Sequence, residues 1–289
     1  MQQSFLNLPN IVNIASVPHR SPFRYPGGKT WLVPRIREWL MSLPQRPKEF
    51  IEPFAGGGII ALTVAFENLA DHVTMIELDN QVAAVWKVIL SDDALWLADQ
   101  IESFNLSYEE VYHFLNQPAK ELKTQALQTI IKNRVNRGGI LANGAGMIKK
   151  GENGKGLSSR WYPQTLKKRI IDIYAIRNKI TFIEADGLKI LEKQLDRNDI
   201  AVFIDPPYTI SSKKAGSRLY NHSTIDHEKL FKVASSMACQ FLMTYDLAEE
   251  VLSLAKLNNL DTKCIAMKNT HHAKMNELLV SKALNWIQS

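Results

Sequence analysis

Cysteine is scarce in this chain of 289 residues, which has only Cys239 and Cys264. They lie far apart and offer neither a disulfide framework nor metal-ligand spacing. No apolar run approaches the roughly 18–20 residues that a membrane-spanning helix needs. The N-terminal stretch lacks a basic start followed by an apolar core, so no secretory signal is expected. Charge of one sign is not abundant either, with 35 Lys+Arg against 29 Asp+Glu, and 45% of the residues are apolar. A disordered chain needs more charge and fewer apolar residues than this. The expectation is a soluble cytoplasmic protein, with no membrane and no metal, large enough for one sizeable core or two small ones.

The charge that is present is unevenly spread. Residues 120–180 hold 14 Lys+Arg and three Asp+Glu, a balance of +11, which leaves −5 for the rest. Positive charge gathered in one segment suits a polyanionic partner; a solvated basic face is the plain alternative.

Periodicity reads as alternating strands and helices. Short apolar runs at Glu49–Ile51, Val73–Ile76, Thr181–Ile183, Ala201–Ile204, Gln240–Thr244 and Lys263–Met267 have the character of strands buried on both faces. Helical patterns at Ile59–Leu69, Gln81–Ile89, Gly187–Leu195 and His227–Met237 lie between several of them. This is the pattern of an α/β, doubly wound, Rossmann-like sheet. From about Ser91 to Asn178 the alternation stops and helical patterns follow one another. Residues 91–178 therefore read as a mostly helical insert between two parts of one domain, 1–90 and 179–289. Arg137–Arg160, rich in Gly, Asn, Ser and Lys, reads as a basic loop inside it.

The segment Phe50-Ile51-Glu52-Pro53-Phe54-Ala55-Gly56-Gly57-Gly58 leads from a strand into a helix. Glycines there allow a sharp turn and a close approach to a ligand. Gly56, Gly58 and Ala61 have dinucleotide-type spacing, and Glu77 ends the next strand, where an acid commonly accepts bonds from ribose hydroxyls. An adenosine-containing cofactor is indicated, with NAD and S-adenosylmethionine not separated. A glycine turn without a ligand is the bland reading.

A second strand, Ala201–Ile204, ends in Asp205-Pro206-Pro207-Tyr208. In open α/β sheets ligands bind at the carboxyl ends of strands. The prolines donate no hydrogen bonds and leave rigid carbonyls as acceptors. A carboxylate, a fixed carbonyl and an aromatic face together suit an exocyclic base amine, which has two N–H groups to place and a ring to stack. Such an amine is a weak nucleophile, because its lone pair is delocalised into the ring. Bonds from its protons to Asp205 and the Pro206 carbonyl favour a pyramidal nitrogen, so that positioning and electrostatics carry the catalysis.

These pieces, with Pro22-Phe23-Arg24-Tyr25-Pro26-Gly27-Gly28-Lys29 before them and Glu184-Ala185-Asp186 between them, resemble the Dam-like DNA adenine-N6 methyltransferases in order across nearly the whole chain. The resemblance implies S-adenosylmethionine as cofactor, bound by Tyr25, Lys29, Glu52, Pro53, Gly56, Gly58, Glu77, Asp186 and Asp205. It implies catalysis by Asp205 and Pro206, with Tyr208 stacking on a flipped adenine. Arg24-Tyr25 stands where the family usually has Lys-Trp. His271-His272 stands where it commonly has basic residues, and no metal-ligand partner accompanies the pair.

Double-stranded DNA is the expected partner of the insert. Arg134 and Arg137, which with Asn133 and Asn136 precede the Gly138-Gly139 turn, are candidates for reading bases. Lys149, Lys150 and Lys155 are candidates for phosphates. A monomer is expected, in a restriction-modification or phage modification setting and with a restriction nuclease as a conceivable partner. The rival readings are methylation of the cytosine N4 amine, a NAD-dependent oxidoreductase and an inactive DNA-binding module. Trp31, Trp39, Trp86 and Trp96 read as core, as do both cysteines. Trp161-Tyr162 reads as packing of the insert in preference to DNA contact.

Overall fold

The computed structural model describes residues 17–142, 144–207, 225–268 and 274–287. Seven strands form one sheet in the order β3-β2-β1-β4-β5-β7-β6. They are β1 (Glu49–Glu52), β2 (His72–Glu77), β3 (Ile180–Glu184), β4 (Ile200–Ile204), β5 (Gln240–Asp246), β6 (Asp261–Lys268) and β7 (Lys274–Ser281). The first five are parallel, and β7 runs antiparallel between β5 and β6. Strand order reverses between β1 and β4, so a crevice opens at the carboxyl ends of those two strands.

Both faces of the sheet are covered. On one lie α1 (Val33–Ser42), α2 (Ile59–Phe66) and α3 (Asn80–Ile89); on the other lie α8 (Gly187–Leu191), α9 (His227–Ser236) and α10 (Glu249–Leu257). The central strand β4 reads Ile-Ala-Val-Phe-Ile and is buried at every residue, as a strand covered on both sides must be. Helix α2 is apolar all round and buried from Ile59 to Ala65, which fits its place against the middle of the sheet.

All six expected strands and all four expected helices are present. Expected burial fails at the edges: β3 is buried only at Ile180, and Cys264 on β6 is exposed whereas Cys239 is buried. Edge strands have a neighbour on one side only, so an apolar run there is a weaker sign of burial. Helix α10 and strand β7 are additional to the expected elements. In β7 the polar pair Asn276-Glu277 interrupts the apolar run that would have marked it.

Between α3 and β3 lie α4 (Ala94–Ser103), α5 (Tyr108–Asn116), α6 (Leu122–Val135) and α7 (Pro163–Ala175). Their apolar faces do not form a core of their own. Leu97, Ile101, Ile130, Ile131 and Ile170 belong to the same buried cluster as Trp86, Phe50 and Leu62. Trp96 is half-buried, with the Lys123 ammonium 5.2 Å from its ring centroid, and Trp161 packs edge-on against Phe104.

Asn133, fully buried on α6, fastens this helical region to the chain ahead of α1. Its Oδ1 accepts from the Arg24 N–H at 2.8 Å, and its Nδ2 donates to the carbonyls of Arg24 (2.9 Å) and Gly139 (2.6 Å). Replacing it by Ala leaves three backbone groups without their partner. Since an unsatisfied buried group costs ~1–3 kcal/mol, Asn133→Ala should lower unfolding free energy by ~3 kcal/mol or more in urea titration. A loss under ~1 kcal/mol would show that the clamp is not structural.

Candidate active site

The crevice between β1 and β4 is lined with carboxyl groups because each parallel strand delivers the residue at its C-terminal end to the same edge. Strand β1 ends in Glu52, β2 in Glu77 and β5 in Asp246, while Asp205 directly follows β4. Glu277 joins them from β7, where it lies opposite Asp246. Lys29 enters from the opposite direction, at the start of the 3-10 turn Thr30–Leu32.

Lys29 is 3% exposed, and its ammonium sits 3.0 Å from Asp205 Oδ1 and 3.4 Å from Glu277 Oε1. It also donates to the Gly27 carbonyl at 2.9 Å. Thr244 on β5 donates its hydroxyl to the same Asp205 oxygen at 2.8 Å. The crowding of acids shows in their proton affinities. Burial holds Glu52 well above the ordinary carboxyl range, and the charges of Asp205 and Glu77 add to the effect against the pull of Lys29. Burial likewise raises Asp246 and pushes Glu277 up to about 7, again against Lys29.

Glycines 56–58 turn between β1 and α2 with Gly56 and Gly58 at φ +47° and +63°. The space their missing side chains leave is taken by the protein itself. A Cβ on Gly56 would lie 2.6 Å from the Tyr25 ring, and one on Gly58 would lie 2.5 Å from the Met75 methyl. Tyr25 therefore lies on the glycine loop, and Ser21 donates to the Gly57 carbonyl at 2.5 Å. Two amides of this turn are held by the neighbouring acids. Gly56 N–H donates to Glu77 Oε2 at 2.9 Å, and Ala61 N–H, in the first turn of α2, donates to Glu52 Oε2 at 2.8 Å. Trp86 Nε1 donates to the Gly56 carbonyl.

Glu77 accepts two further amides through Oε1, from Leu78 (2.8 Å) and Asp79 (2.9 Å). A carboxylate offers roughly four acceptor positions, so three backbone bonds leave it one for a ligand hydroxyl. Burial, the largest influence, raises its proton affinity. Asp186 caps α8 by accepting from Leu188 N–H at 3.0 Å. The next residue, Gly187, abuts Pro53: a Cβ there would meet the Pro53 carbonyl oxygen at 2.0 Å. Asp186 is thus brought beside the end of β1. Pro206 is buried at the rim next to Asp205, and Tyr208 and His271-His272 lie outside the described residues.

Of the candidate DNA contacts, Arg134 departs from expectation. It is 5% exposed, its guanidinium donates to the Pro22 carbonyl, and burial pushes its pKa down to about 9. Placed among the backbone of residues 22–24, it supports that segment and has no reach to a base edge. Its position on the inward face of α6, which the spacing Asn133-Arg134 left open, is the reason. Arg137, Lys149, Lys150 and Lys155 are all exposed, and Gly138 and Gly139 turn as expected with φ +67° and +75°. Arg137, Lys149 and Lys155 line one groove of roughly 740 Å³ together with Tyr108, Met147 and Leu157. Among the described residues no group of His, Cys, Asp or Glu is arranged to hold a metal, and no helix is long and apolar enough to cross a membrane.

A family model described as D12 class N6 adenine-specific DNA methyltransferase matches residues 25–273. The chain belongs to that family. It is an S-adenosylmethionine-dependent DNA methyltransferase acting on the N6 amine of adenine. No curated protein matches it in sequence. Among solved structures it is similar to a candidate RNA methyltransferase from Pyrococcus horikoshii, at 9% identity over 94% of this chain and 95% of that one, with a TM-score of 0.42. It is also similar to an rRNA methyltransferase from Streptomyces viridochromogenes, at 15% identity over 90% and 87% of the two chains, with a TM-score of 0.38.

The residues of the crevice fit the methyl donor. S-adenosylmethionine is a cation at sulfur, and a crevice rich in carboxyl groups suits a cation. A dinucleotide needs the amides at a helix N-terminus for its diphosphate, and here carboxylates of Glu52 and Glu77 hold amides of that turn. The residues that sequence reading missed are Thr244, Asp246 and Glu277. Of these only Glu277 carried a signal, as part of the polar pair Asn276-Glu277 inside an apolar run.

Two outcomes follow for the acids. Glu77→Gln places an NH2 against backbone N–H donors, so it should destabilise the protein by ~1–3 kcal/mol. Thermal unfolding measures that loss, and calorimetry should show weakened S-adenosylmethionine binding. For Glu277 the folded protein holds the proton more tightly than the unfolded chain does. Its contribution to stability is therefore largest at low pH and is lost as pH rises from 4.5 towards about 7. Over that range the loss should reach ~3 kcal/mol, and Glu277→Gln should remove that part of the pH dependence in denaturant titrations.

Proposed function

We propose that Asp205, the Pro206 carbonyl and Tyr208 hold the target adenine, that the carboxyl-lined crevice holds the cofactor, and that residues 91–178 supply DNA affinity and sequence choice. The observation that carries this reading is the convergence of Asp205, Glu52 and Glu77 at the point where strand order reverses. S-adenosylmethionine, when bound, supplies an electrophilic methyl group on a positively charged sulfur. Glu77 offers its remaining acceptor position to the ribose hydroxyls, and Asp186 lies near the adenine of the cofactor. Tyr25 closes the pocket over the glycine loop, and Glu52 and Pro53 form its floor.

The substrate is double-stranded DNA. Its target base must leave the stack, at a cost of a few kcal/mol that stacking and hydrogen bonding in the pocket offset. Asp205, kept at the rim by Lys29 and Thr244, accepts one N–H of the amine, and the Pro206 carbonyl accepts the other. The nitrogen lone pair is then directed away from the ring towards the methyl group, and Asp205 receives the proton that the product amine must shed. Arg137 is the base-reading candidate, and Lys149, Lys150 and Lys155 take phosphates. The setting is a cytoplasmic modification enzyme, monomeric, alone or beside a restriction nuclease.

With labelled S-adenosylmethionine and unmodified DNA, nucleoside analysis should return N6-methyladenine, and Asp205→Ala should lose nearly all transfer while remaining folded. Transfer within tenfold of wild type, a barrier change of only ~1.4 kcal/mol, would sink the assignment. Replacing Lys149, Lys150 and Lys155 should weaken binding to cognate and random duplexes alike. The log–log salt slope should flatten by about one unit for each phosphate left without its lysine. Arg137→Ala should instead cost ~1–3 kcal/mol on cognate DNA only. Equal losses on both DNAs would assign Arg137 to the backbone.

A further inference from the structure

Glu277 has no part in the roles above, yet it is placed to influence them. It lies on β7, inside the sheet, 6% exposed. One carboxyl oxygen faces the Lys29 ammonium at 3.4 Å, and the other, Oε2, is buried with no hydrogen-bond partner among the described residues. A buried acid with one oxygen unbonded is costly. The charged groups that face it are Lys29 from the segment before α1, Asp205 beyond β4 and Asp246 opposite on β5. Its partner on β6 is Ile265, which is uncharged. One ammonium thus stands between two carboxyl groups, and the one that meets the substrate amine is Asp205.

We propose that Glu277 is a positioning residue for methyl transfer, which acts through Lys29 to set how much of the ammonium's charge Asp205 receives. The proposal rests on Asp205 holding the amine. With Glu277 ionised, Lys29 is shared between two carboxylates, and Asp205 keeps more of its negative charge for the N–H it accepts. With Glu277 neutral, the ammonium turns wholly to Asp205 and draws that charge away. The ionised form is therefore the competent one. Because burial places this titration near neutrality, at about 7, the switch between the two forms falls in the working range of an enzyme.

The test measures single-turnover methylation of duplex DNA against pH, with cofactor and DNA both saturating. Wild type should show a rate that rises through neutral pH to a plateau. Glu277→Gln, fixed in the neutral form, should lose that limb and run about tenfold below the wild-type plateau with the KM for DNA unchanged. Glu277→Asp should restore a pH-dependent limb. A purely structural role would lower the amount of folded enzyme without altering the shape of the profile.

Independently of activity, carbon-13 NMR of the Glu277 carboxyl in the cofactor-free protein should show its titration midpoint moving upward in Lys29→Met, since the ammonium favours the carboxylate. A Glu277→Gln profile that overlays wild type, or a midpoint indifferent to Lys29→Met, overturns the proposal. Asp205→Asn, assayed alongside, separates the two readings. If it retains activity, the amine-holding role itself fails. If it is inactive while Glu277→Gln matches wild type, only the role of Glu277 fails.

Discussion

The Lys29 ammonium is the charge against which the acids of the crevice are balanced. Parallel strands with a reversal of order between β1 and β4 bring their C-terminal residues together, and in this chain those residues are acids. Several carboxylates in a half-buried crevice repel one another strongly. Three features offset that repulsion. Glu52 and Glu77 bond backbone amides, burial keeps protons on some of the carboxyl groups, and Lys29 lies between Asp205 and Glu277. The binding of a sulfonium cation adds a fourth.

Much of this was legible in the sequence. Glu77 and Asp205 stand out because each sits at the end of an apolar run, Gly56–Gly58 because glycines between a strand and a helix have few other uses, and Glu52 through the resemblance alone. The central strands formed for the same reason: a strand covered on both faces has to be apolar along its length. The family followed from the order of Tyr25, Lys29, the glycine loop, Asp186 and Asp-Pro-Pro-Tyr, and the match over residues 25–273 bears it out.

What was not legible depends on partners distant in the chain. Glu277 looks like a polar interruption until β7 is seen to run antiparallel beside β5, which puts it opposite Asp246 and within reach of Lys29. Arg134 shares a basic segment with Arg137, but helical phase turns Arg134 inward, whereas α6 ends at Val135 and Arg137, in the turn beyond it, faces solvent. A charge count over the segment cannot distinguish the two. The glycine loop was read as space for a ligand. Yet Tyr25 and Met75 take up part of that space, so the glycines serve packing as well.

The Asn133 amide joins places that would otherwise be independent. One bond reaches the carbonyl of Gly139, in the turn that carries Arg137, and two reach the backbone of Arg24, whose neighbour Tyr25 lies on the glycine loop. The groove and the cofactor pocket therefore share a rigid mechanical link through one buried side chain. Displacing the Arg137 turn relative to Arg24 would have to break either the single Asn133 bond to Gly139 or the two bonds to Arg24.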